Sequence, residues 1–191
     1  MSCCENDQKF DGTSAAYRRA LWAVIFINLV MFVVEITAGF ASGSQALKAD
    51  ALDFAGDTMT YSISLLVIGS AIAVRAKAAL FKGGLLFAIA ISVLAMTLMR
   101  ALSGEPPVAE TMGIVGFAAL LANAASVLIL LKWRDGDANV RSVWLCSRND
   151  AIGNVGVMIA GGLVAATGSA WPDLLLAFVL AGIFSRSAWS I

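Results

Sequence analysis

The stretch Lys48-Ala-Asp50-Ala-Leu-Asp53-Phe-Ala-Gly-Asp57 runs without a break into Thr58-Met-Thr-Tyr-Ser-Ile-Ser-Leu-Leu-Val-Ile-Gly, and its reading decides the fold. Positions 50, 53 and 57 are three and four apart, so on a helix their carboxylates share one face. The segment stays apolar as far as Val74, which makes it a membrane span with three acids set into it. A carboxylate near the bilayer centre costs at least ~2.5 kcal/mol even on the gentlest scale. A divalent cation or shared protons would offset that cost.

Working outward, the whole chain has the composition of such a span. Of its 191 residues 60% are hydrophobic and 14% charged, and the mean hydropathy is +0.85. No water-soluble domain of this size needs so much apolar surface, so the fold class is an all-α integral membrane protein. The 13 basic and 13 acidic residues cancel and no basic run occurs, which argues against nucleic acid as a partner. Histidine is absent, so a metal site would have to use carboxylate, thiolate, amide or backbone oxygen. Cys3, Cys4 and Cys146 do not make a disulfide framework, and the N-terminus lacks a signal-peptide pattern. Residues 1–17 read as a polar cytoplasmic tail, in which Cys3-Cys4 beside Glu5 and Asp7 are more simply reduced thiols than a soft-metal site.

Six transmembrane helices are expected, at about 20–41, 46–74, 83–102, 110–131, 138–167 and 174–188, inside a single domain of residues 18–191. Between them lie Ser42-Gly-Ser-Gln45, a basic segment from Arg75 to Lys82, the helix-breaking Gly104-Glu-Pro-Pro107, the turn Lys132–Asp137 with Asp137 as an N-cap, and Gly168–Asp173. With both ends inside, Lys9, Arg18, Arg19, Arg75, Lys77, Lys82, Lys132, Arg134, Arg141 and Arg186 are cytoplasmic, and Lys48 and Arg100 lie towards the outside. The positive-inside rule therefore orients the chain N-in and C-in, in a cytoplasmic (inner) membrane.

Asn28 and Glu35, seven apart, share the inward face of the first helix, and Asn123 is the one strongly polar interior residue of the fourth. On the second helix the polar stripe continues past the aspartates through Thr60, Tyr61 and Ser64. The fifth carries Cys146 and Asp150, four apart, with Asn154 a turn beyond. Asp57 lies ~18 Å from the outer end of the second helix and Asp150 ~18 Å from the start of the fifth, at 1.5 Å per residue. Two helices crossing in opposite directions can thus bring Asp53, Asp57, Cys146 and Asp150 to one point. Four such ligands suit tetrahedral zinc, with bonds of ~2.0 Å to oxygen and ~2.3 Å to sulfur. Arg148 lies two residues from both Cys146 and Asp150 and points to the opposite face, so it is badly placed to neutralise them. Asp50 reads as a helix-start or entry residue rather than a ligand, and with Asn28, Glu35, Asn123 and Asn154 as one of the supporting or pathway groups.

Three stretches carry a resemblance to the cation diffusion facilitator family: Glu35-Ile-Thr-Ala-Gly39 leading through Ser42–Asp50 to Asp53-Phe-Ala-Gly-Asp57, Asn123 in the fourth helix, and Ser147-Arg-Asn-Asp150-Ala-Ile-Gly-Asn154. The likeness spans nearly all of residues 18–189. It implies a six-helix homodimer that exports a divalent metal ion in exchange for protons, with the transport site on Asp53, Asp57, Cys146 and Asp150. The chain departs from the family at Cys146, where histidine or aspartate is typical. The softer thiolate shifts the expected cargo towards zinc and cadmium. It also reads as a short form that ends at Ile191 without the usual C-terminal soluble domain, so that dimerisation would rest on the membrane part. No enzyme is expected, since an intramembrane aspartyl protease fits the paired spacing poorly. The alternative function is a proton-coupled small-molecule exporter using membrane-embedded carboxylates.

Overall fold

The computed structural model describes residues 12–67, 72–102, 105–136 and 138–189. Among them the chain forms six α-helices and no strand: α1 Ala15–Ser42, α2 Gln45–Leu66, α3 Ile72–Ala101, α4 Ala109–Leu130, α5 Ala138–Thr167 and α6 Trp171–Trp189. A single 3-10 turn, Leu131–Trp133, follows α4. Cys3, Cys4 and the expected cap Asp137 lie outside the described residues.

Local chemistry sets the helix ends. Ser14 and Ser44 are N-caps whose hydroxyls accept from the Tyr17 and Leu47 backbone N–H groups at 3.2 and 3.0 Å. Gly43 closes α1 with φ +76°, a left-handed backbone that favours glycine, and the tip of the Arg100 side chain lies against it. The Val108 N–H donates to the Ser42 carbonyl at 3.0 Å and ties the start of α4 to this corner.

Two expectations shift. The polar tail was drawn to residue 17, but α1 begins at Ala15, and Tyr17 is fully buried with its ring edge-on to Trp133 at 5.6 Å. The third helix begins at Ile72 rather than near residue 83, and α2 ends at Leu66 rather than near Val74. The stretch Arg75–Lys82 holds mostly Ala, Lys and Leu and no Gly or Pro, so it continues as helix where its charge suggested a connection.

Helix α2 is the hub of the packing. It contributes Tyr61 and Leu65 to a cluster with Tyr17, Leu21, Leu130 and Val143, and Phe54 to one with Met31 and Ala119. Ala46 and Leu47 meet Met112, Val157 and Val164, while Ala49 meets Val93 and Leu180. Helices α1, α2, α4 and α5 therefore enclose one core, and α3 and α6 pair on each other and lean on α2. Helices α4 and α5 approach closely where Gly161 meets Met112, since a Cβ at Gly161 would lie 3.0 Å from that side chain.

The outer surface is apolar. Trp22, Phe26, Phe117, Leu128, Ile152, Ile159, Leu175 and Val179 are among many large side chains left exposed. Three helices, Ala15–Ser42, Ala109–Trp133 and Val140–Thr167, are long and apolar enough to cross a bilayer, and Phe87–Ala101 and Trp171–Ile183 are shorter apolar stretches. Helix α2 is different: it turns Asp50, Asp53 and Asp57 inward, while the half-buried Lys48 lies over the exposed Phe40 ring.

Candidate functional site

Helices α2 and α5 run antiparallel and present acids to each other. The carboxyls of Asp53 and Asp150 face each other across the gap within reach of a hydrogen bond, a contact that is attractive only while a proton lies between two oxygens. One turn further along α2, Asp57 is 8% exposed and accepts a hydrogen bond from the Tyr61 hydroxyl. The carbonyl oxygen of Val143 on α5 lies 3.5 Å from the same hydroxyl. Cys146 and Asp150 both lie near enough to Tyr61 to interact with it electrostatically, and Asp150 interacts likewise with Asp53, Asp57 and Cys146. The four residues singled out by spacing thus form one electrostatic cluster.

They are not drawn equally close. Asp53 and Asp150 are half-buried and in contact, Asp57 is held by Tyr61, and Cys146 is exposed. Among the described residues no three Cys, Asp or Glu side chains close around one point as metal ligands do. Arg148 faces away: its guanidinium lies 5.4 Å from the Trp144 ring and donates to Asn149 Oδ1 at 3.2 Å.

A second polar layer lies one turn nearer the start of α2. Asp50 is buried among helices rather than standing at a helix entrance. Its Oδ2 accepts from Asn154 Nδ2 at 2.5 Å, and Asn154 Oδ1 accepts from Asn123 Nδ2 at 3.0 Å. On the other side Asp50 meets Glu35, which is 0% exposed and whose two oxygens find no N–H or O–H donor among the described residues. The chain Glu35–Asp50–Asn154–Asn123 therefore crosses α1, α2, α5 and α4. Asn28 takes no part, because its Nδ2 donates to the Val24 carbonyl of its own helix at 2.8 Å.

The spacing of the sequence misses the roles of two buried side chains. Tyr61 was one member of a polar stripe, yet it is the residue that holds Asp57. Asp173 reads from the sequence only as the end of the Gly168–Asp173 connection, whereas it lies in the first turn of α6. It is 1% exposed and accepts from Ser44 Oγ at 2.5 Å, Gln45 N at 2.8 Å and Ala46 N at 3.0 Å, so an acid from α6 caps the start of α2. The available signal was an acid in the first turn of α6, at the same end of the bundle as the α1–α2 corner.

A family model described as the cation efflux transmembrane domain matches residues 21–77 and 73–191. The chain belongs to the cation efflux family. It is 29% identical over 180 residues to the metal cation efflux system protein CzcD of Cupriavidus metallidurans, covering 87% of this chain and 56% of that protein. It is 28% identical over 187 residues to the zinc transporter ZitB of Escherichia coli, covering 91% and 59%. It is 27% identical over 191 residues to the cadmium, cobalt and zinc/H(+)-K(+) antiporter of Bacillus subtilis, covering 88% and 60%. The chain thus spans less than two thirds of the length of these curated relatives. Membership in the cation efflux family, with the apolar helices, makes it a multi-pass membrane protein.

Proposed function

We propose that this cation efflux protein moves a divalent metal ion of the zinc or cadmium type out of the cytoplasm through Asp53, Asp57, Cys146 and Asp150. The observation that carries the reading is the Asp53–Asp150 contact between antiparallel helices, with Asp57 and Cys146 in the same electrostatic cluster. The names of the relatives, a zinc transporter and a cadmium, cobalt and zinc antiporter among them, agree with it in cargo class. The bundle crosses an inner membrane six times, N-in and C-in, and works as a homodimer.

The chemistry is exchange. A metal ion entering from the cytoplasm would displace the proton shared by Asp53 and Asp150 and the thiol proton of Cys146, both leaving to the cytoplasmic side, and would draw Asp57 away from the Tyr61 hydroxyl. The ion offsets the cost of gathering these charges in a low dielectric. When the site opens outward, returning protons release it; Glu35 and Asp50, one turn nearer the outer end of α2, take them up, while Asn154 and Asn123 hold the Asp50 carboxyl in place. In proteoliposomes loaded with a pH-sensitive dye, zinc moving one way should drive protons the other way. Zinc flux without proton movement would remove the antiport, and proton movement driven by an organic cation but not by zinc would favour a small-molecule exporter.

A further inference from the structure

Helices α4 and α5 leave an apolar groove of 560 Å³ on their outward face, lined by Leu120, Ala124, Val127, Arg148, Ile152 and Val155 among others. Its size lies within the ~300–1,000 Å³ range of small-molecule pockets. The antiparallel register orders it. Asn123 meets Asn154 and Leu130 packs with Val143, so Leu120 stands level with Val155 at one end, and Val127 with Arg148 at the other. The groove is thus an apolar trough with one cation at its mouth.

That cation has no anion. Among the described residues Arg148 meets the Trp144 ring and the neutral Asn149 side chain, and no carboxylate. A guanidinium on the lipid-facing surface of a membrane helix is costly unless it reaches a headgroup or a counter-charge. The placement of Arg148 permits that reach. Helix α5 has 30 residues, ~45 Å against ~30 Å of hydrocarbon, and Arg148 leans back over Trp144 towards the Ala138 end. Exposed Arg141 and Lys132 stand at that same end.

We propose that this groove is a binding site for one anionic phospholipid, its phosphate on Arg148 and an acyl chain lying along the trough towards Leu120 and Val155. Basic pockets between membrane helices hold acidic headgroups in this way, and the aromatic ring beneath the guanidinium fixes its direction. Because Arg148 shares a turn of α5 with Cys146 and Asp150, the lipid would bear on the orientation of that turn. Assignment to the inner leaflet rests on the N-in orientation proposed above; binding itself does not.

Delipidated protein in mild detergent, titrated with dioleoyl phosphatidylglycerol and followed by native mass spectrometry and thermal stability, tests the site. Bound phosphatidylglycerol should survive at least tenfold better than phosphatidylcholine. Arg148→Gln should abolish that preference, Arg148→Lys should keep most of it, and Arg141→Gln should leave it unchanged. An equal preference in Arg148→Gln would overturn the proposal. So would full stabilisation by inorganic phosphate alone, which would make the ligand a free anion, or protection of Arg148 only in dimers, which would make it a partner's carboxylate. The binding assay needs neither metal nor sidedness, so its failure is separable from failure of the transport reading.

Discussion

Two sets of acids stand against α2, and they are built in opposite ways. At its start Asp173 accepts from a hydroxyl and two backbone N–H groups, so its negative charge is matched by donors already aligned on the helix end. In the middle, Asp53 faces Asp150 and Asp50 faces Glu35, carboxyl against carboxyl. The first arrangement is complete without a ligand and serves the fold. The second is complete only with protons or a cation, and on the function proposed above that incompleteness makes it the working part.

The largest effect that would break this contrast is functional. Asp150→Ala should lower zinc transport at least ~100-fold, about 2.7 kcal/mol, while leaving insertion and helix content unchanged by circular dichroism. Retained transport would remove Asp150 from the site. Next in size, Asp173→Ala should destabilise the bundle by ~1.5–3 kcal/mol in denaturant titration, because three donors lose a charged acceptor, yet transport per folded molecule should persist. A loss of transport without a loss of stability would erase the distinction between the two sets.

Two smaller changes sharpen it. Cys146→Asp replaces a soft donor by a hard one, so the preference measured in competition assays should move from cadmium towards manganese. An unaltered metal profile would place Cys146 outside the ligand set. Tyr61→Phe removes the donor that competes with metal for Asp57. Zinc should then bind roughly two- to tenfold more tightly by calorimetry, the worth of one hydrogen bond of ~0.5–1.5 kcal/mol, and weaker binding would make Tyr61 a support of the site instead.

What the sequence reveals follows the range of the interaction. Spacing of three and four residues puts Asp53 and Asp57, and Cys146 and Asp150, on common faces, and the length of α5 follows from uninterrupted helix ending at Gly168. Antiparallel crossing then suffices to bring α2 and α5 together at matching depth. The Asp173 cap is different, because its partners lie 127 to 129 positions away and no local pattern announces which loop an acid will meet. Asp50 is only partly legible for a related reason. Near a helix start it resembles an entry residue, and only the register with Asn154 and Glu35 shows it buried in a chain crossing four helices. The basic Arg75–Lys82 segment misleads because charge suggests a loop where helix propensity carries the backbone on.

The most direct measurement is thermal stabilisation of the purified protein by zinc, cadmium and manganese, with Asp150→Ala alongside. Asp53, Asp57, Cys146 and Asp150 acting together predict stabilisation by zinc and cadmium well above that by manganese, lost in the variant. No stabilisation by any divalent ion would contradict the metal site and leave the facing carboxyls as a proton relay.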